Sequence, residues 1–193
     1  MSSSSISEVR RLKDLLLVSG LIALAIILRF FEIPYPPAPF LKYDLSGVPL
    51  IVIAYISLKY AYISLPVYYL VSTTLLASDP IGMAMKVLAE FSTFTPLVIA
   101  YKKLMKRKPA IAAGISIGLA AVSRVLVMLL ANYVITPYWL LWAGWAKSLN
   151  EAYSYLLFYI PHITIFNATI VIIIGPVALA SIAVLKRTGY IIG

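Results

Sequence analysis

Five charged side chains stand inside or beside apolar stretches of this sequence: Lys42, Asp44, Lys86, Glu90 and Arg124. Ionisable groups in such surroundings are costly in hydrocarbon, so they mark a ligand or ion site, or pair with one another. Lys42 and Asp44 are separated by one tyrosine in Phe40-Leu41-Lys42-Tyr43-Asp44-Leu45-Ser46-Gly47, a polar segment between two apolar runs. Leu41, Lys42, Tyr43 and Asp44 together offer an apolar wall, a cation, an aromatic ring and a carboxylate. Lys86 and Glu90 are four apart and share one face of a helix, either neutralising each other or presenting one group to a ligand. Arg124 has three options: snorkelling to an interface, pairing with Glu90, or reaching a pocket. Asn132 and Asn167 carry amides that both donate and accept. An amide suits a flat heterocycle with alternating carbonyls and ring nitrogens, and serves equally as interhelical glue or a cap.

Catalytic constellations fit poorly. Tyr43-Asp44 resembles the first half of an intramembrane aspartyl protease pair, but neither Asp14 nor Asp79 lies in the Gly-x-Gly-Asp context of the second half. His162 is the only histidine, and no serine sits in Gly-x-Ser-x-Gly, so a serine hydrolase lacks its parts. With no cysteine and one histidine, neither a thiolate nor a multi-histidine metal site is expected. No P-loop pattern is present, so the chain carries no ATPase motif of its own. No metal and no cofactor is called for. The chemistry that remains is recognition of a small molecule.

The elements that must position these groups are membrane helices. Of 193 residues, 62% are hydrophobic and 12% charged, more apolar surface than a soluble domain of this size can hide. The composition predicts an all-α integral membrane protein with one membrane domain over 12–187, a polar stretch 1–11 and a tail 188–193. Helix 1 is expected from about Leu12 to Phe30, with Ser19 and Ala23 as a small-xxx-small pair that allows close helix approach. Pro34, Pro36, Pro37 and Pro39 predict a stiff extended loop rather than a helix. The run Leu45 to Leu58 covers only about 21 Å, short of the ~30 Å hydrocarbon core, so the preceding loop should dip below the surface and line a cavity. Further helices are expected near 61–77, 81–101, 109–131 and 158–185, giving six spans. Residues 132–157, with Trp139, Trp142 and Trp145, read as a long connection containing a short interfacial helix.

The net charge of +9 would suggest nucleic acid in a soluble protein; here the positive-inside rule accounts for it and no nucleic-acid partner is expected. One side receives Arg10, Arg11, Lys13, Lys59, Lys102, Lys103, Lys106, Arg107, Lys108, Lys186 and Arg187, eleven of the 16 basic residues. That asymmetry predicts both termini in the cytoplasm of a multi-pass cell-membrane protein, with the Lys42–Asp44 segment, Asp79 and the tryptophans on the outside.

On these residues the chain resembles the substrate-binding S-components of energy-coupling factor (ECF) vitamin transporters. Leu41-Lys42-Tyr43-Asp44-Leu45-Ser46-Gly47-Val48-Pro49 is similar to the Leu-Lys-Tyr-Asp-x-Ser-x-x-Pro signature of the riboflavin-specific type. Asn132-Tyr133 and Phe166-Asn167 resemble that type's Asn-Tyr and Phe-Asn pairs. The resemblance implies riboflavin bound from outside, with Asp44 and its loop neighbours, Asn132 and Asn167 as contacts. It also implies two further kinds of partner, a transmembrane coupling subunit and two cytoplasmic ATPase subunits, with Ser19 and Ala23 on the docking face. One position departs: Ile170 stands where the family pattern often has a lysine, leaving Lys86 or Arg124 to supply that cation. Other readings are an S-component for a different ring-bearing micronutrient, or a non-transporting membrane scaffold subunit.

Overall fold

The computed structural model describes residues 3–105 and 108–190. Lys106 and Arg107 of the basic cluster, the first two residues of the polar stretch, the last three of the tail and the side chain of Arg10 lie outside the described residues. Six helices and one hairpin follow in order: α1 (Ser3–Leu28), a 3-10 turn (Arg29–Phe31), β1 (Ile33–Tyr35), β2 (Ala38–Tyr43), α2 (Gly47–Ile56), α3 (Leu58–Leu75), α4 (Pro80–Leu104), α5 (Pro109–Trp142) and α6 (Leu149–Arg187).

Helices α1, α4, α5 and α6 are long and apolar enough to cross a membrane, which makes this a multi-pass membrane protein. The other two differ. α3 has 18 residues, but Tyr60, Tyr62, Ser64, Ser72, Thr73 and Thr74 make it less apolar. α2 has 10 residues and rises only about 15 Å.

α2 is apolar on every side and buried on every side, as expected of a helix with no wet face. Leu50, Ile51, Ile53 and Ala54 are fully buried in the apolar core, with α1, α3, α4 and α6 packed against α2. α5 buries every fourth residue: Ala112, Ser116, Ala120, Arg124, Met128 and Asn132. The small residues in the first half allow close packing, and the large polar ones begin where the bundle opens.

Three expectations are corrected. The proline-rich segment is not a plain extended loop: β1 and β2 pair antiparallel, with Ile33 opposite Tyr43 and Pro34 opposite Lys42, and the fold is not purely α-helical. A two-stranded ribbon tolerates proline because each strand has an unpaired edge. The 132–157 connection is mostly helix: α5 continues through Pro137 to Trp142, and α6 begins at Leu149. Residues 143–148 make the turn, entered through Gly144 at φ 73°, and closed by Ser148 Oγ accepting from Glu151 N (3.3 Å) while Glu151 Oε2 accepts from Lys147 N (2.8 Å). Finally, α1 starts at Ser3 rather than Leu12. Six helices are present, but α2 alone is too short to cross.

Candidate functional site

The 3-10 turn after α1, the ends of α3 and α5, the first halves of α4 and α6, and strand β2 surround a cavity of about 1090 Å³ at one end of the bundle. Small-molecule sites usually occupy about 300–1,000 Å³, so this one is roomy. Seven of the eight ligand residues expected from sequence line it: Leu41, Lys42, Asp44, Lys86, Arg124, Asn132 and Asn167.

The deep wall is a chain of alternating charges. Asp44 follows β2 and precedes α2. Its Oδ1 accepts from Ser46 N (2.8 Å) and from the Ser46 hydroxyl, which itself accepts from Tyr68 OH (2.8 Å). Lys86 Nζ donates to Asp44 Oδ2 at 2.6 Å and stands 3.9 Å from Glu90 Oε1. Arg124 Nη1 reaches Glu90 Oε1 (3.3 Å) and Thr93 Oγ1 (3.1 Å), and Arg124 Nε donates to Asn167 Oδ1 (3.0 Å). Glu90 and Arg124 are 2% and 3% exposed. A loop and four helices are thereby joined through one network with two cations and two anions, which is how buried charges persist without solvent.

The start of α2 explains why the two carboxylates collect there. A helix N-terminus presents free N–H groups and positive potential. Asp44 takes the N–H of Ser46, and Glu90 Oε2 lies against Gly47, where an added Cβ would fall 2.6 Å from that oxygen. Glu90 Oε2 has no hydrogen-bond partner among the described residues. Gly47 therefore makes the room that Glu90 occupies.

The mouth carries a second set of charges. Arg29, in the 3-10 turn, donates to Glu32 Oε1 (3.1 Å), Ser78 Oγ (3.2 Å) and Met83 Sδ (3.0 Å), and Lys42 Nζ meets Glu32 Oε2 at 2.8 Å. Asp79 caps α4 through Gly82 N (2.6 Å) and accepts from Trp139 Nε1 (3.2 Å). That last bond ties the α3–α4 turn to α5. Trp139 and Trp145 line the cavity with ring centroids 5.6 Å apart, whereas Trp142 is 71% exposed and turned away. The three tryptophans therefore do not share a side.

Tyr43 is the one expected ligand residue that does not line the cavity. Tyr43 is the last residue of β2, and its side chain turns to α6. Its hydroxyl bonds Thr169 Oγ1 (2.6 Å), and its ring packs on Phe166 at 4.7 Å, fastening the hairpin to α6. Tyr35 and His162 join the same aromatic cluster. Asn132 lines the cavity, but its amide donates to Met128 O (2.7 Å) and accepts from Thr136 (2.8 Å). Asn167 likewise donates to Ile163 O (2.8 Å) while holding Arg124. Ile170 is buried in the apolar core instead. Lys86 stands closer to Asp44 (2.6 Å) than to its helix neighbour Glu90 (3.9 Å) and is shared between the two carboxylates.

Sequence reasoning did not place Arg29, Glu32, Asp79 or Trp139 at the site. Their signal was present: in an apolar chain each is a polar group at a helix end. Ser19 and Ala23 lie elsewhere, exposed on α1. Leu12, Leu16 and Ile27 are exposed with them along the helix.

No protein-family model matches the chain, and no curated relative matches it by sequence. The fold is similar to the solved structure of the S component of a bacterial ECF transporter. The TM-score is 0.73 at 22% sequence identity, covering 92% of this chain and 98% of that one.

Proposed function

We propose that this chain is the substrate-binding subunit of an ECF-type importer, taking riboflavin from outside the cell for ATP-driven uptake by partner subunits. The observation that carries this reading is convergence. Residues from β2, the loop after it, α4, α5 and α6 whose side chains suit such a ligand meet at one cavity large enough for a flavin.

The chemistry suits a flat heterocycle with carbonyls, ring nitrogens and a polyhydroxyl tail. Lys86 and Arg124 are donors for carbonyl oxygens, Asp44 accepts from ring N–H groups, and the two asparagines can exchange their intrahelical bonds for ligand ones. Trp139, Phe40 and Tyr159 supply aromatic surface. Lys86 provides the cation that the family pattern has at the position of Ile170. In this reading the ligand inserts into an existing network rather than neutralising a bare charge, which favours an uncharged molecule.

Six passes follow if β1, β2 and α2 together make the second crossing. The described basic residues Lys59, Lys102, Lys103, Lys108, Lys186 and Arg187 fall at helix ends opposite the cavity, and Arg11 and Lys13 lie in the half of α1 away from it. The positive-inside rule then puts both termini in the cytoplasm and the cavity outside. Ser19 and Ala23, exposed on α1, would meet the coupling subunit, which in turn carries two ATPase subunits.

The test is a riboflavin titration of the purified protein followed by quenching of flavin fluorescence. Saturable quenching is expected; no binding at micromolar riboflavin would reject the ligand. A thermal-shift screen of other ring-bearing vitamins then addresses the runner-up, which Ile170 favours.

A further inference from the structure

At the end of the bundle away from the cavity, two lysines from different helices converge on one ring. Lys102 Nζ of α4 and Lys186 Nζ of α6 each lie 4.8 Å from the centroid of Tyr55, in the last turn of α2. Tyr55 is buried, and its hydroxyl reaches Met105 Sδ at 3.6 Å. Neither lysine forms an ion pair among the described residues, where all five ion pairs lie at the cavity end. Lys59, Lys103, Lys108 and Arg187 at the same end are also unpaired among the described residues, as are Glu8 and Asp14 on α1.

The ring face and the C-terminus of α2 attract cations, but together they balance little of the charge. A helix end contributes roughly half an elementary charge, against two full charges on the lysines. Two ammonium groups held beside one ring at a membrane boundary call for an anion between them.

We propose that Lys102, Lys186 and the ring of Tyr55 form a site for the headgroup phosphate of an anionic phospholipid. Basic pockets between membrane helices suit such headgroups. An apolar side chain one turn before Lys102 provides surface for an acyl chain: Ile99 is exposed on the same side of α4. The site involves no residue of the ligand cavity.

The test uses the full chain in detergent, with thermal unfolding followed by tryptophan fluorescence. Phosphatidylglycerol should raise the midpoint by about 4–8 °C, the scale for two lysines engaging an anionic lipid in a chain of this length. Phosphatidylcholine and inorganic phosphate should each leave it unchanged. K102Q/K186Q should lose the phosphatidylglycerol increment, K102Q alone about half of it, and K59Q/K103Q none. Native mass spectrometry should show fewer retained phosphatidylglycerol molecules on K102Q/K186Q than on wild type. Equal stabilisation by phosphatidylcholine would overturn the headgroup assignment. A full effect from inorganic phosphate would make this a site for free anions. Equal losses in K59Q/K103Q would reduce it to a diffuse field. An unchanged increment in K102Q/K186Q would free the lysine pair for another partner, such as an acidic protein surface.

Discussion

Replacing Arg124 with leucine should strand a buried carboxylate. The guanidinium satisfies Glu90 Oε1, Thr93 and Asn167 at 3.3, 3.1 and 3.0 Å. Without it, the nearest cation to Glu90 is Lys86 at 3.9 Å, already engaged by Asp44, while Glu90 Oε2 is bare from the outset. Breaking a buried pair from one side costs about 3–5 kcal/mol. At about 2–4 °C per kcal/mol for a chain of this length, the unfolding midpoint should fall by roughly 6–20 °C. Glu90→Gln in the same chain removes the stranded charge and should recover at least half of that loss, because contacting residues are not additive. Riboflavin affinity should not recover in the double variant, since Arg124 also lines the cavity. Thermal unfolding in detergent and a flavin titration read the two effects separately. A midpoint within about 2 °C of wild type for Arg124→Leu would refute the claim that Glu90 depends on it. So would a double variant that loses the full sum of the single changes.

Other outcomes follow from the same contacts. Asp44→Asn and Asn167→Ala should each weaken riboflavin binding by about 1–3 kcal/mol, measured by fluorescence quenching; wild-type affinity in both removes them from the pocket. Gly47→Ala would put a methyl group 2.6 Å from both Glu90 Oε2 and Ile174 Cδ1. Overpacking of that kind should cost about 1–3 kcal/mol, seen as a lower unfolding midpoint, and an unchanged midpoint would show that Glu90 moves freely. Ser19→Leu with Ala23→Leu should abolish co-purification with the coupling subunit while leaving riboflavin affinity intact. Retained assembly would move the docking face off α1.

The site was legible where polarity stood out against an apolar background. Asp44, Lys86 and Arg124 had nowhere inexpensive to go, and the structure brings them together. Tyr43 was expected at the cavity beside Lys42 and Asp44; its side chain bonds Thr169 and packs on Phe166 of α6, partners that a segment read as a loop did not reveal. The hairpin was hidden by Pro34, Pro36, Pro37 and Pro39, which argue against a sheet interior but not against a two-stranded ribbon with open edges. The long helices α5 and α6 were cut short by Pro137 and by a cluster of aromatic residues. Membrane helices tolerate such prolines, because neighbouring groups satisfy the freed carbonyls. Gly144 and the pattern Ser148-Leu149-Asn150-Glu151 did mark the true turn, as a helix stop followed by a capping box. Lys86's closer approach to Asp44 than to Glu90 could not be read from spacing, since it depends on where β2 ends relative to α4.

The burial of α2 has a consequence for how the protein is made. Ten residues are too few to partition into a bilayer as an independent span, and Asp44 and Ser46 at their head resist entry further. α2 packs against α1 and α3, its neighbours in the chain, but also against α4 and α6, and α6 follows the other five helices in the chain. During biogenesis the second segment must therefore wait, loosely held, until the sixth arrives to close its final side. A nascent chain released before α6 would expose the hairpin and α2 without their partners. Such truncated products should be the natural substrates of membrane quality-control proteases.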